Sequence, residues 1–191
     1  VPLADGKPHG VARFWYPDGQ LREQVPYRHG EIHGEHRTWY QDGTPRDLVT
    51  TAAGQPHGWT RRWYEDGSLR FEGEFAQGEL HGTASWYNEA GHRVREARFA
   101  AGQLHGLERR WFGNGELHKE IHWRRGQRHG ETRIYSKGGA LVWRKPYQDG
   151  VLHGVVVAYD RDGAIITEET YQHGEPVAAD AGSGASESNH E

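Results

Sequence analysis

The sequence predicts an all-β protein, a single-layer extended antiparallel sheet built from seven to eight 24-residue β-hairpin repeats. Three observations carry this expectation. The motif Gly-x-x-His-Gly occurs seven times at a constant spacing of 24 residues, beginning at Gly6, Gly30, Gly54, Gly78, Gly102, Gly126 and Gly150. An Asp-Gly or Asn-Gly pair stands at one fixed place inside most units, as in Asp18-Gly19, Asp42-Gly43 and Asn114-Gly115. Between these markers apolar and polar residues alternate with a period of about two, the pattern of half-buried strands. A repeat of roughly 20 to 50 residues denotes an array in which each unit buries its apolar side only by stacking on its neighbours.

Each unit reads strand, tight turn, strand, looser turn. The leading strand follows the His-Gly pair and carries an aromatic residue five positions on: Trp15, Trp39, Trp63, Tyr87, Trp111, Tyr135 and Tyr159. The Asp-Gly pair after it predicts a type I′ turn, because both central residues of that turn take positive φ, which glycine and Asn or Asp tolerate best. The trailing strand carries an aliphatic column (Leu21, Leu69, Leu117, Leu141, Ile165) and an aromatic one (Tyr27, Phe75, Phe99, Trp123, Tyr147, Tyr171). The next Gly-x-x-His-Gly supplies the looser turn, until an eighth copy lapses at Val177. The array is expected over residues 5–177, and residues 178–191, with neither periodicity nor apolar content, are expected to be a disordered tail.

Composition fits a thin sheet. Only 34% of residues are hydrophobic, poor material for a thick core, while eight Trp, nine Tyr and five Phe cover large areas with few rotors to freeze. A net charge of −4 gives no basic footprint for nucleic acid and no general attraction to anionic membranes. The chain has no cysteine, hence no disulfide or thiolate metal site, and no apolar run long enough for a transmembrane helix. The start at Val1 and the absence of methionine are read as a mature chain without its targeting segment.

Fourteen histidines invite a metal reading, which spacing opposes. Equivalent residues of successive hairpins lie about 9 to 10 Å apart, whereas two ligands on one zinc lie within about 4 Å of each other. The repeated His9, His33, His57, His81, His105, His129 and His153 are therefore expected to hydrogen-bond backbone in the glycine turns, and no metal or other cofactor is expected. Nor is an enzyme expected. The aspartates recur because turns need them, and near-copies of one unit are a poor way to place different groups in separate catalytic roles.

Residues that the repeat does not dictate are free to serve a partner. The column of Phe14, Thr38, Arg62, Trp86, Arg110, Ile134 and Ala158 varies, as do its neighbours headed by Ala12 and Tyr16, and this variation suggests exposure. Trp59 and Trp143 depart from their columns as well. Arg62, Trp86 and Arg110, in successive units on one face, with Trp59 and Trp143, form the candidate partner-binding set, Trp and Arg being the side chains most enriched in interface hot spots. Arg13, Arg37, Arg61, Arg109 and Arg133 are expected to stack on aromatic neighbours of the other face.

The units also resemble a known repeat. Gly54-Gln-Pro-His57-Gly58, followed by Trp63-Tyr64 and Asp66-Gly67, is similar to the MORN repeat variant of bacterial YwqK-like antitoxins, and the likeness runs over about residues 5–177. Related bacterial arrays include immunity proteins against effectors of the type VI secretion system, phospholipases among them. Eukaryotic MORN arrays are associated with membranes and scaffolding. The resemblance thus implies a non-enzymatic immunity protein that occludes a cognate secreted effector with one face of its sheet. For a phospholipase effector it implies a periplasmic protein, with or without a lipid anchor. Mild acidity of the chain would suit a basic effector. Two readings stay open beside it, an envelope scaffold and a lipid-headgroup or glycan binder, the latter handicapped by negative charge. Neither nucleic acid nor strong membrane binding is expected.

Overall fold

The computed structural model describes residues 1–178; the expected tail, apart from Ala178, lies outside the described residues. All strand pairing is antiparallel and follows chain order. Gln55–Trp63 pairs with Leu69–Ala76 inside one unit, and Leu69–Ala76 pairs in turn with Glu79–Tyr87 of the next. The same alternation runs from Gly10–Trp15 to Ile165–Gln172. Among the described residues no pairing joins the last strand to the first, so the sheet is open, with two edges.

The edges are half capped. Leu3–Ala4 pairs with Lys7–Pro8 at one end and Glu175–Pro176 with Tyr171 and Gln172 at the other, which leaves the far halves of Gly10–Trp15 and Ile165–Gln172 without an outer neighbour.

The two turns of a unit have the reverse of the expected geometry. At Asp18-Gly19 only the glycine has positive φ, 90°. The Gly19 N–H donates to the Tyr16 carbonyl at 3.0 Å, and the Tyr16 N–H to the Gln20 carbonyl at 2.8 Å. That is a three-residue loop, a type I turn closed by a bulge glycine, and not type I′. Asp18 serves instead as an acceptor, its carboxylate taking the Gln20 N–H at 3.0 Å. Type I′ geometry belongs to the motif glycine. His29 and Gly30 both have positive φ, 51° and 92°, and the flanking Arg28 and Glu31 are paired. Ala53-Gly54, Gln77-Gly78 and Ala101-Gly102 repeat this, so an L side chain sits in the left-handed region in every unit.

Such a position is strained for alanine by about 1–2 kcal/mol and less so for asparagine. Ala101→Asn is therefore expected to raise stability by about 0.5–1 kcal/mol, read as an increased urea midpoint.

The second motif glycine marks a break in the ladder to the preceding strand. The leading strand is interrupted at the histidine in three units, between Lys7–Pro8 and Gly10–Trp15, Glu31–Ile32 and Gly34–Trp39, and Val151–Leu152 and Gly154–Tyr159. Each interruption faces a proline, since the N–H of His9, His33 and His153 donates to the carbonyl of Pro2, Pro26 and Pro146. Proline has no N–H to return. Units with Thr50, Glu74, Arg98 or His122 at that place keep a continuous strand.

Val157 is buried on one face of the sheet; the main hydrophobic cluster lies on the other, here the front. Its centre is Phe71, Ala84, Ala97 and Phe99, flanked by Phe75, Leu80, Trp86 and Leu104. The Ala12 column, expected to be exposed from its variability, is instead the floor of this face: Ala12, Thr60, Ala84, Glu108, Thr132 and Val156 are all buried. Small residues fill most of it, with His36 and Glu108 the exceptions.

Candidate functional site

Pairing register draws one straight row across the front face. It alternates the Phe14 column of the leading strands with the Glu23 column of the trailing strands: Phe14 pairs with Glu23, Glu23 with Thr38, Thr38 with Asp47 and Asp47 with Arg62. Arg62 pairs with Phe71, Phe71 with Trp86, Trp86 with Arg95, and Arg95 with Arg110. Lys119, Ile134, Trp143 and Ala158 continue it. The row is acidic at its start, cationic and aromatic in the middle, and apolar at its end.

Four of the five candidate residues therefore stand on one line: Arg62, Trp86, Arg110 and Trp143. Trp59 does not, since it lies one residue from the buried Thr60 on the opposite face, with the Arg61 guanidinium 5.9 Å from its ring centre. Two members of the row, Phe71 and Arg95, were missed in the sequence, because from their trailing-strand column only Trp143 was singled out. Phe71 tilts against Trp86 with ring centroids 5.3 Å apart, and the Arg95 guanidinium lies 4.5 Å above the Trp86 ring. The Arg62 guanidinium lies 5.6 Å from the Phe71 ring. Beside them a shallow cavity of about 400 Å³ is lined by Arg62, Arg70, Phe71, Phe75, Leu80 and Trp86. Farther along, the Lys145 ammonium sits 4.4 Å over Trp143.

Beneath the cationic stretch lies a carboxylate. Glu108 has no exposed side-chain surface, yet it accepts from Arg95 Nε at 2.7 Å, Arg110 Nε at 2.8 Å and Trp123 Nε1 at 2.7 Å. Burial by itself pushes its pKa up. Hydrogen bonds from Arg110 and Arg95, with their charges, outweigh that and hold it below the ordinary carboxylate value. One buried anion thus fixes two guanidiniums whose outer parts stay in water.

The opposite face is a structural ladder. Arg61 approaches Glu72 at 3.5 Å, Arg109 donates to Glu120 at 3.0 Å and Arg133 to Glu131 at 2.6 Å. Of the arginines expected to stack on aromatics, only Arg61 has an aromatic neighbour at that range; carboxylates on the paired strand or two residues away hold Arg37, Arg109 and Arg133. The Tyr16 column is structural too. Tyr16, Tyr40 and Tyr64 donate their hydroxyls to the carbonyls of Trp39, Trp63 and Tyr87, at 2.7, 2.9 and 2.9 Å. Asn88 continues the ladder through its amide to the Gly113 carbonyl, 2.8 Å, so variation there reflects a change of donor and not a free surface.

The repeated histidines do not bond the turn backbone as expected. The turn glycines are already engaged by backbone: Gly30 N–H donates to the Pro8 carbonyl at 2.8 Å and Gly78 N–H to that of Pro56 at 2.8 Å. His9 packs edge-on against His29 and His153 lies tilted against His173, with ring centroids 5.4 and 5.3 Å apart, and His129 faces Asp149 at 3.5 Å. Among the described residues no group of three or more His, Asp or Glu side chains is arranged to hold a metal.

Three segments, residues 8–29, 104–124 and 152–173, match the MORN repeat variant family. They fall in the first, fifth and seventh units, and the positive-φ pairs at Ala53-Gly54 and Gln77-Gly78 give units outside the matches the same turn. No curated protein matches the chain.

Proposed function

We propose that this chain is a non-catalytic binding protein, and specifically an immunity protein that neutralises a secreted bacterial effector by covering it with the front face of the sheet. The observation that carries this reading is the meeting of Arg62, Phe71, Trp86, Arg95 and Arg110 on consecutive strands, with the exposed Arg62 and Arg110 and the half-buried Arg95 around a half-buried tryptophan. Arg and Trp anchors of this kind dominate interface energetics, and an extended repeat surface suits a large partner. The groups of the row come from near-copies of one unit, on one line, and are not the separate acid, base and nucleophile that catalysis requires.

MORN repeats are typically protein- and membrane-interaction modules. That the partner is a toxic effector, with type VI phospholipases in the candidate class, rests on the likeness of the units to those of YwqK-like antitoxins, an associational support. With a phospholipase partner the place of action is the periplasm. The cationic middle of the row favours one second reading, attachment to anionic lipid headgroups.

Capture of tagged protein from the native host, with mass spectrometry of whatever binds in equal amounts, tests the proposal. A secreted toxin whose growth inhibition is relieved by co-expressing this chain is the expected outcome. Absence of any stoichiometric protein, with lipid retained instead, sinks the immunity reading.

A further inference from the structure

We infer that Arg95 and Arg110 form a carboxylate clamp, and that the partner docks an acidic protein segment across the cationic stretch of the row. This deepens the reading of the front face as a partner surface and rests on it.

The geometry of Glu108 is the first support. Both arginines bond it through Nε, at 2.7 and 2.8 Å. A guanidinium has five N–H donors in a planar fork, so this arrangement holds each one at its inner edge. Among the described residues, neither arginine's terminal amino groups donate to another protein acceptor. Free outer edges of this kind match carboxylates bidentately. The second support is register. Arg95, Arg110 and Lys119 are paired neighbours on consecutive strands, about 4.8 Å apart. Acidic side chains on one side of an extended segment recur about every 6.6 Å, within the reach of these long side chains.

Charge is the third support. One buried carboxylate stands against two guanidiniums, and Lys119 makes no ion pair among the described residues. His118, beside them, has its pKa lowered by burial and then by the charges of Lys119 and Arg110. The stretch is therefore locally positive although the chain carries −4 overall. Steering acts through the local field at the docking face, which reverses the expectation of a basic partner. The cavity beside Trp86 would take an apolar side chain from the same segment.

Fluorescence anisotropy with a labelled Asp- and Glu-rich peptide, and with its Asn and Gln counterpart, tests the clamp on the full chain. The acidic peptide is expected to bind at low salt and the neutral one not. Arg95→Gln with Arg110→Gln is expected to weaken binding by about tenfold or more. Arg37→Gln with Arg133→Gln, the same charge change on the opposite face, is expected to leave it within about twofold. Equal losses from both pairs would reduce the effect to diffuse attraction and overturn the clamp. Glu108→Gln supplies a positioning readout, provided its circular dichroism matches the parent. A diffuse field predicts tighter binding on losing a negative charge, whereas the clamp predicts weaker binding. Arginine-dependent binding to phosphatidylserine vesicles without binding to the peptide would overturn the acidic-protein assignment in favour of lipid. A captured effector whose affinity ignores Arg95 and Arg110 would refute the clamp and leave the immunity reading standing; peptide binding without any captured protein would do the reverse.

Discussion

Glu108→Ala is expected to destabilise the protein by about 2–3 kcal/mol, measured by urea unfolding at neutral pH. The carboxylate is completely buried and accepts three hydrogen bonds, from Arg95, Arg110 and Trp123. Its removal leaves the indole N–H without a partner and opens space under the row. Breaking a fully buried pair typically costs about 3–5 kcal/mol. The two arginines here are 32% and 45% exposed and can recover hydration, which places the expected loss below that range. The same residue sets a pH dependence. Its folded pKa lies below the ordinary value of 4.5, so its contribution is present above that pH and is lost as pH falls through the lower folded value. The alanine variant lacks this contribution, and the gap between variant and parent is expected to narrow on acidification below pH 4.5. A gap that stays constant across that window would mean that the carboxylate is not charged and paired in the folded protein.

Gly73→Val is the second large effect, a loss of about 1–3 kcal/mol despite the better strand propensity of valine. Val25 and Val49 occupy the same place in the first two units. In the third unit, however, a Cβ would lie 2.8 Å from Phe71 Cζ, 3.1 Å from Ala84 Cβ and 3.2 Å from Leu80 Cδ2. Phe71 and Gly73 thus compensate each other: the ring fills the space that a side chain takes elsewhere, and from there reaches Trp86. Valine would push the ring away from Trp86 and disturb the row, so weaker partner binding should accompany the lost stability. Thermal melting together with near-ultraviolet circular dichroism of Trp86 and its neighbours checks both. An unchanged melting temperature would show that Phe71 has another rotamer available at no cost.

Most of the architecture was legible in the sequence, because unbroken spacing between His-Gly pairs fixes both strand number and register. The turns were misassigned for a definite reason. Asp-Gly is a strong type I′ signal when two residues connect the strands, but Pro17, Asp18 and Gly19 make a loop of three, in which aspartate caps and only glycine is left-handed. The true type I′ pairs carry Ala, Gln or Arg at the first place in four of eight copies and Asp only at Asp5-Gly6 and Asp149-Gly150, so that column gave a weak turn signal. Arg62, Trp86 and Arg110 were found as departures from a repeat. Glu108 was not, because variability alone does not tell a surface column from a buried floor column. The available signal was a single acid in a column otherwise filled by Ala, His, Thr and Val, a pattern that marks a buried charge needing cationic partners. Phe71 and Arg95 required the pairing across strands, which turns two separate columns into one row.

Everything proposed about function rests on the front face as the docking surface. The most direct measurement is the affinity of the captured effector for the parent chain and for the variant combining Arg62→Ala, Trp86→Ala and Arg110→Ala, with Trp59→Ala as the opposite-face comparison. The account predicts a loss of about tenfold or more for the triple variant, about 1.4 kcal/mol, measured at a temperature where its far-ultraviolet circular dichroism matches the parent, and little change for Trp59→Ala. Unchanged affinity in the triple variant, or a larger loss from Trp59→Ala, would contradict it and move the binding surface to the other face or to the sheet edges.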